Sequence, residues 1–412
     1  MQNIKLTNGI DVKLIDSPKT PRIAMTLCIP FAVPENRAGL MTVLNRLLLQ
    51  GTSTRSAERL ANELDENAIE LYAELKNDYM RLRVLALNED FEYAVELVED
   101  IIKNSTFENF DKEVEKLKGE LTADLDSARA RAQDNYYNTI FKNHPYGIGS
   151  TQILNNIDNL TKEDVKAKYS ELISGSNKNI CVVGNIESDK IKNLLEKHFG
   201  NIPNSDICIK GDRYTLAQDM VSTVVKEDAN QAQIHKGWIL PPINNEDSHK
   251  FMLLNTILGA GGMTSRLFYE LREKKGLAYV VRSLLESNAQ ASCFTVYIAT
   301  EPKNIPTCLE GFKTEIERIQ NIPLTDEELE DAKNNLIGRR QFYYETNLLK
   351  ATMKGLQTVY NFSDDYEEKL VEKIQNTTKE ELQECAKRCF STPSVLSVLA
   401  PSKFLKDAGL EY

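Results

Sequence analysis

Arg272 and Tyr279, seven residues apart in the stretch LREKKGLAY, are the two side chains whose types and spacing point most directly to chemistry. A guanidinium group donates hydrogen bonds in a planar fork, which suits a carbonyl oxygen or an oxyanion. A phenol donates one hydrogen bond and adds no competing charge. These residue types could therefore hold carbonyl oxygens or an oxyanion. On spacing alone, an exposed cation beside a strand-packing aromatic is the simpler interpretation.

Metal-binding residue types are few and scattered. The chain has four histidines, His144, His198, His235 and His249. None lies three or four residues from another histidine or a cysteine, the spacing with which a helix holds zinc. We interpret His144 in NHPYG as a turn residue and expect the other three on the surface. Cys385 and Cys389 share a helix face, but two ligands do not complete a tetrahedral zinc site, so we expect a structural role.

The composition limits the classes of partner. The chain has 412 residues, a net charge of -11 and seven scattered cysteines. An acidic balance argues against a nucleic acid or an anionic membrane as partner, since both attract basic surfaces. Scattered cysteines without a disulfide pattern fit a reducing compartment, and no run reaches the roughly 20 apolar residues of a membrane span. We therefore expect a cytoplasmic protein.

The elements that must position Arg272 and Tyr279 can be traced from periodicity. A helix pattern in DSHKFMLLNTILG precedes a Gly-rich turn, GAGG at 259–262, and a short helix in SRLFYELREKKG follows it. The strand pattern LAYVVRSLLES comes next, so Arg272 lies near the end of a helix and Tyr279 near the start of a strand. The Gly-rich turn follows a helix and has no Lys-Ser/Thr, which argues against a nucleotide loop. It provides close packing or room for a substrate backbone.

The two halves of the chain look like one unit repeated. A capped helix and a buried strand from residue 160 have counterparts from residue 377, at an offset of about 210 to 217 residues. We predict an α+β fold of two homologous tandem units, each a mainly antiparallel sheet with helices on one face, forming a clamshell half. The predicted domains are 1–205 and 219–412, with a linker at 206–218.

The stretch NTILGAGGMTSRLFYELREKKGLAYVV, at 255–281, strongly resembles the C-terminal half of the pitrilysin or insulinase-like zinc metallopeptidases, a group that includes mitochondrial processing peptidase. LTNGIDVKLI near the start, the Gly-Thr pair after helix 36–50, HPYG at 144–147 and VVGNI at 182–186 extend the resemblance over nearly the whole chain. It implies that Arg272 and Tyr279 bind the substrate backbone and the developing oxyanion at a zinc site on an opposing half.

Active members of that family carry His-x-x-Glu-His on the helix before the Gly-Thr turn. Counting back from that turn, the corresponding residues here are Thr42, Asn45 and Arg46, so both zinc histidines and the general base are absent. Arg46 places a fixed positive charge where the cation should lie. Glu120 falls near the position of the downstream ligand, and we interpret it as a relic or an ordinary exposed acid. We expect no metal and no catalytic residue in this chain.

These observations lead to two functional hypotheses. The first is a non-catalytic, substrate-binding subunit of a heterodimeric zinc metalloendopeptidase, with zinc in a homologous partner chain and a peptide or unfolded protein as substrate. Alternatively, the chain is a pseudo-peptidase that acts as a scaffold or peptide-binding protein without proteolysis. A neighbouring reading frame with an intact His-x-x-Glu-His motif would favour the first hypothesis, and its absence the second.

Overall fold

A computed structural model describes residues 1–31, 37–206 and 213–411. The described residues form eleven strands: β1 Gln2–Lys5, β2 Asp11–Asp16, β3 Arg22–Pro30, β4 Glu70–Leu75, β5 Tyr79–Leu87, β6 Asn179–Gly184, β7 Met220–Val225, β8 Ala232–Leu240, β9 Val280–Ser287, β10 Ser292–Thr300 and β11 Ser394–Ala400. No helix in the same residues is both long enough and apolar enough to cross a membrane.

The α-helices of the described chain are α1 Leu40–Leu47, α2 Ala57–Glu66, α3 Phe91–Asn104, α4 Phe110–Asp126, α5 Ala128–Ile140, α6 Ser150–Asn156, α7 Lys162–Gly175, α8 Ser188–Phe199, α9 Ser248–Asn255, α10 Ile305–Asn321, α11 Asp326–Phe342, α12 Asn347–Val359, α13 Tyr366–Asn376, α14 Lys379–Phe390 and α15 Ser402–Asp407. Two segments are π-helical, Thr256–Ala260 and Phe268–Lys274. Helices α4 and α5 are separated only by Ser127, where the backbone is extended.

Two sheets organise the chain. The first has the strand order β1-β2-β6-β3-β5-β4, and the second has the order β7-β11-β8-β10-β9. In each sheet the neighbouring strands are antiparallel except for one parallel pair, β2 with β6 and β7 with β11. Apart from the additional β1, the second sheet therefore repeats the order and directions of the first. The predicted α+β class with two mainly antiparallel units is confirmed.

The chain divides into two compact units, and each unit includes a helix from the other half of the sequence. The first unit contains Met1–Glu120, Gln152–Gly211 and Gln341–Asp364, and the second contains Leu121–Thr151, Asp212–Arg340 and Asp365–Tyr412. Helix α12 thus belongs to the first unit and helix α5 to the second. The division into 1–205 and 219–412 stays a prediction about the sequence repeat, and residues 207–212 of the linker lie outside the described residues.

The exchanged helices cover a second face of each sheet. In the first unit α12 packs on β3 and β6, where the hydroxyl of Thr26 donates to the carbonyl oxygen of Ala351 at 3.0 Å. In the second unit α5 packs on β8 and β11, and its Tyr136 is fully buried. The opposite face of the second sheet carries the main apolar core, which includes Trp238 and Phe294. The helices therefore lie on both faces of each sheet, whereas the sequence predicts them on one.

Candidate functional site

Helix α1 has the framework of the expected metal-site helix. Five apolar side chains form a buried stripe and are at most 6% exposed: Leu40, Val43, Leu44, Leu47 and Leu48. The chain leaves the helix at Gly51, whose φ of 107° disfavours any residue with a Cβ. The next residue, Thr52, anchors the turn by donating its hydroxyl proton to the carboxylate of Asp100 at 2.7 Å. The buried stripe and the turn at Gly51 and Thr52 therefore fix the direction in which the opposite face of α1 points.

Thr42, Asn45 and Arg46 lie on that opposite face and are all partly exposed. Residues at i and i+4 share one helix face, so Thr42 and Arg46 take the places of two ligands aimed at one point. Asn45 donates its side-chain amide to the carbonyl oxygen of Ala73 in β4 at 3.4 Å, and its own Oδ1 is buried without a partner in the described chain. The helix presents no imidazole and no carboxylate here.

Arg46 forms ion pairs with two carboxylates of α4. Its Nη1 and Nη2 donate to the two oxygens of Glu120 at 2.8 and 3.0 Å, a bidentate arrangement. Its Nε donates to Glu113 at 3.2 Å, and the Glu113 side chain is only 6% exposed. The hydrogen bond from Arg46 holds the pKa of Glu120 below its ordinary value. Glu120 is therefore bonded to the residue that replaces a ligand, rather than being an ordinary exposed acid.

The residues at this site do not fit a zinc ion. Zinc requires imidazole, thiolate or carboxylate ligands, and of the motif positions on α1 none supplies one. The carboxylate of Glu120 is already bonded to the guanidinium of Arg46, and the positive charge of that guanidinium would repel a zinc ion. The described residues also contain no group of three His, Cys, Asp or Glu side chains placed to hold a metal.

Arg272 and Tyr279 are positioned by a π-helical turn and a glycine. Arg272 lies in the segment Phe268–Lys274, which is anchored by the buried Leu271. Single π-helical turns are rare and concentrate at functional sites. Gly276 follows with a φ of 60° and donates its N–H to the carbonyl oxygen of Arg272 at 3.0 Å. This left-handed turn reverses the chain, so Tyr279 returns beside Arg272 just before β9 begins.

The structure brings Arg272 and Tyr279 into direct contact. Nη1 of Arg272 donates to the backbone carbonyl of Tyr279 at 2.6 Å. The guanidinium carbon lies 4.7 Å from the ring centre of Tyr279 and 4.5 Å from that of Phe268, so both rings interact with the cation through their faces. The Tyr279 residue is 78% exposed. The phenol is thus presented to solvent beside a cation whose orientation is fixed.

The histidines differ from expectation in their burial. His144 is the N-cap of a short turn and accepts from the N–H of Tyr146 at 3.2 Å. The expectation that the other three lie on the surface is wrong, since His198, His235 and His249 are at most 8% exposed. His198 contacts the carboxylate of Glu99, and His235 stacks on Tyr136. These contacts stabilise an imidazole ring in the protein interior. They join residues that are distant in the chain, so the sequence alone does not predict them.

Cys385 and Cys389 are buried on one face of α14, and their sulfur atoms lie 3.9 Å apart. This distance is well beyond the roughly 2.05 Å of a disulfide bond, so the two are separate thiols. They pack into the apolar core of the second unit.

Two residues of the candidate site were missed from the sequence. Glu113 lies seven residues before Glu120, and that spacing on α4 was the available signal that both carboxylates share a helix face. Phe268 lies four residues before Arg272 and stacks on it, again a helical spacing.

Two family models match the chain. One, described as Insulinase (Peptidase family M16), matches residues 12–151, and the other, described as Peptidase M16 inactive domain, matches residues 159–336. Similar curated proteins include an "Uncharacterized zinc protease" of Rickettsia felis, which is 26% identical over 97% of both chains. The "Uncharacterized zinc protease YmxG" of Bacillus subtilis is 23% identical over 96% of this chain and 97% of its own.

Solved structures share the fold at lower identity. A protease from Helicobacter pylori has a TM-score of 0.88 at 21% identity and covers 97% of this chain and 99% of its own. A peptidase M16 inactive domain from Pseudomonas fluorescens has a TM-score of 0.87 at 19% identity, with 97% and 98% covered.

Proposed function

This chain belongs to the insulinase-like peptidase family M16 and lacks the family's catalytic motif, and from that premise we propose that it is the non-catalytic, substrate-binding subunit of a heterodimeric zinc metalloendopeptidase. A homologous partner chain carries zinc, its histidines and the general base. This chain supplies Arg272 and Tyr279 to that site and is inactive alone. The substrate is a peptide or an unfolded protein segment.

The ion pairs of Arg46 support the division of labour. A peptidase that had merely lost a histidine would keep carboxylates that repel each other once the cation is gone. Here the guanidinium bonds both Glu113 and Glu120 and offsets one of their two negative charges, so a cation already lies between them without a metal ion. The chain is therefore suited to a structural and substrate-binding role in its first half.

The arrangement of Arg272 and Tyr279 is the observation that carries the proposal. A residue kept only for packing would be buried, whereas Tyr279 has 78% of its surface exposed and lies against an arginine. A phenol and a guanidinium fork presented together can donate to the carbonyl groups of an extended peptide and to the oxygen that gains charge. Both residues fall within the match to the M16 inactive-domain model.

The test uses the purified chain mixed with a homologue from the same source that contains His-x-x-Glu-His. We expect no peptide cleavage from this chain, and cleavage when both are present. In the mixture, Arg272→Ala or Tyr279→Phe should reduce kcat by about 10²- to 10³-fold, the effect of removing one oxyanion donor. Neighbouring side chains provide matched controls: Lys274→Ala and Tyr269→Phe, at 50% exposure each, should leave kcat unchanged.

Three results would contradict the proposal. Cleavage by this chain alone would show that it has catalytic residues of its own. An unchanged kcat in both the Arg272 and the Tyr279 variants would show that the pair has only a structural role. Peptide binding without any cleavage in the presence of every homologue with an intact motif would favour the scaffold function instead.

A further inference from the structure

A row of four cross-strand residues runs over the face of the second sheet on which α5 lies. Ser397 of β11 pairs with His235 of β8, His235 with Tyr297 of β10, and Tyr297 with Arg282 of β9. Directly paired residues point to the same side of a sheet, so the row forms one surface. Strand β9 is an edge strand of this sheet, so Arg282 ends the row.

Arg129 brings a second guanidinium to this surface. It lies in the first turn of α5, three and seven residues before the buried Ala132 and Tyr136, and so shares their sheet-directed helix face. Tyr136 stacks on His235 with ring centres 5.0 Å apart. The guanidinium of Arg282 lies 5.7 Å from the ring centre of Tyr297. Arg282 therefore lies beside the Tyr297 ring, and the positive charges of both arginines act on His235.

These two arginines have no acidic partner within 4.0 Å in residues 1–31, 37–206 and 213–411. The Nε of Arg282 is buried and donates to no acceptor there. Glu286, four residues along β9 on the same face, accepts a hydrogen bond from the Tyr137 hydroxyl. Tyr297 donates its own hydroxyl proton to Gln233 at 2.6 Å. Glu286 and Tyr297 thus form their hydrogen bonds with other residues, and neither bonds to an arginine of this surface.

His235 adds no charge to the surface. Burial, together with the smaller effect of the positive charges of Arg282 and Arg129, lowers its pKa to about 3. The ring is therefore neutral at physiological pH, and the surface charge is that of the arginines. A buried guanidinium N–H without an acceptor is costly, and a carboxylate matches its planar fork with two parallel hydrogen bonds.

We propose that Arg282 and Arg129 form a binding site for a carboxylate side chain of an acidic peptide that lies along the edge strand β9. The ligand chemistry is Asp or Glu in an extended segment, held by the fork of Arg282 and by the charge of Arg129. The inference rests on the proposed function only in that the chain binds peptides. It adds a preference for acidic segments.

Calorimetric titration of the isolated chain tests this with two peptides, each acetylated and amidated, that differ only in three Glu residues replaced by Gln. The Glu peptide should bind at least about 10-fold more tightly, and raising the salt from 0.05 to 0.5 M should reduce that ratio, as expected for partly exposed charges. Arg282→Gln and Arg129→Gln should each bring the two affinities within about threefold. Arg282→Lys should retain part of the preference, because it keeps the charge without the fork.

Arg131→Gln is the matched control, since Arg131 is exposed on the same helix two residues away. Arg129 is also exposed, so its variant should keep the unfolding temperature of the native chain. Equal affinities for the two peptides, or an equal loss of preference in Arg131→Gln, would overturn the inference while leaving the Arg272 and Tyr279 test unaffected. Failure of both peptides to bind would overturn the inference as well.

Discussion

At the scale of single residues, Arg46 explains how a metal-site scaffold persists without a metal. The side chain stands at a position where the family's active members have a histidine, and it bonds two carboxylates of α4. Its positive charge is covalently part of the chain, so the charge balance does not depend on ion concentration. The guanidinium fork also fixes direction, because two of its nitrogens bond Glu120 and a third bonds Glu113.

Replacing Arg46 by Ala should lower the free energy of unfolding by about 1–3 kcal/mol. Breaking a buried ion pair leaves an uncompensated charge, here Glu113, while partial solvent access at Glu120 reduces the cost. Urea unfolding should give a lower midpoint with an unchanged slope. Arg59→Ala, which removes an exposed pair with Glu63, should change stability by less than about 0.5 kcal/mol. Similar losses in both variants would contradict this account.

The same pair should make stability depend on pH. The folded pKa of Glu120 is lowered, so its contribution is fully present above the unfolded value of about 4.3 and is lost as the pH falls through the folded pKa. Unfolding midpoints measured from pH 7 to pH 3 should therefore fall less steeply in Arg46→Gln than in the native chain. Parallel curves would indicate that the pair contributes nothing to acid sensitivity.

At the scale of elements, α1 shows that packing and chemistry occupy separate helix faces. Its apolar stripe is buried, while Thr42, Asn45 and Arg46 are partly exposed on the other side. The 3.6-residue period of the apolar residues in the sequence identifies the buried face of such a helix directly. The sequence did not predict the second carboxylate, because Glu113 reaches Arg46 across 67 residues of chain.

Restoring the family motif in α1 should create a zinc site. In the triple variant Thr42→His, Asn45→Glu and Arg46→His, two imidazoles one helical turn apart gain Glu120 as a third ligand. Elemental analysis should find about one zinc per chain in the triple variant, whereas Arg46→His alone, with one histidine on the helix, should bind weakly. A folded triple variant that binds no zinc would contradict the placement of these residues around one point.

At the scale of the whole molecule, the exchange of α5 and α12 between units is what the sequence could not reveal. The mainly antiparallel sheets follow from local patterns and the repeat follows from self-similarity, and both were predicted. Which sheet a helix packs on depends on contacts such as Thr26 to Ala351, separated by 325 residues. An amphipathic pattern predicts that one face of a helix is buried, but it does not predict which sheet or helix that face packs against.

Replacing each of two helical glycines by alanine tests this packing, because the two changes in stability should have opposite signs. A Cβ at Gly355 of α12 would lie 2.9 Å from the hydroxyl of Thr26 and 3.3 Å from the sulfur of Cys28, so Gly355→Ala should destabilise by about 1–2 kcal/mol. A Cβ at Gly338 of α11 meets nothing within 4 Å in the described chain, so Gly338→Ala should stabilise by about 0.5–1 kcal/mol. The unfolding temperatures of the two variants and the native chain, measured by thermal unfolding, provide the comparison. Stabilisation by both variants would contradict the close contact of α12 with β3.

The position of α12 in the chain also has a consequence for synthesis on the ribosome. The first sheet is complete once β6 ends at Gly184, but Ala24, Cys181 and Val183 stay uncovered until α12 has been made. At roughly 5–20 residues per second, translation from residue 184 to residue 351 takes roughly 10–30 seconds. During that interval the nascent chain exposes an apolar sheet face, which is the kind of surface that makes a folding intermediate prone to aggregation.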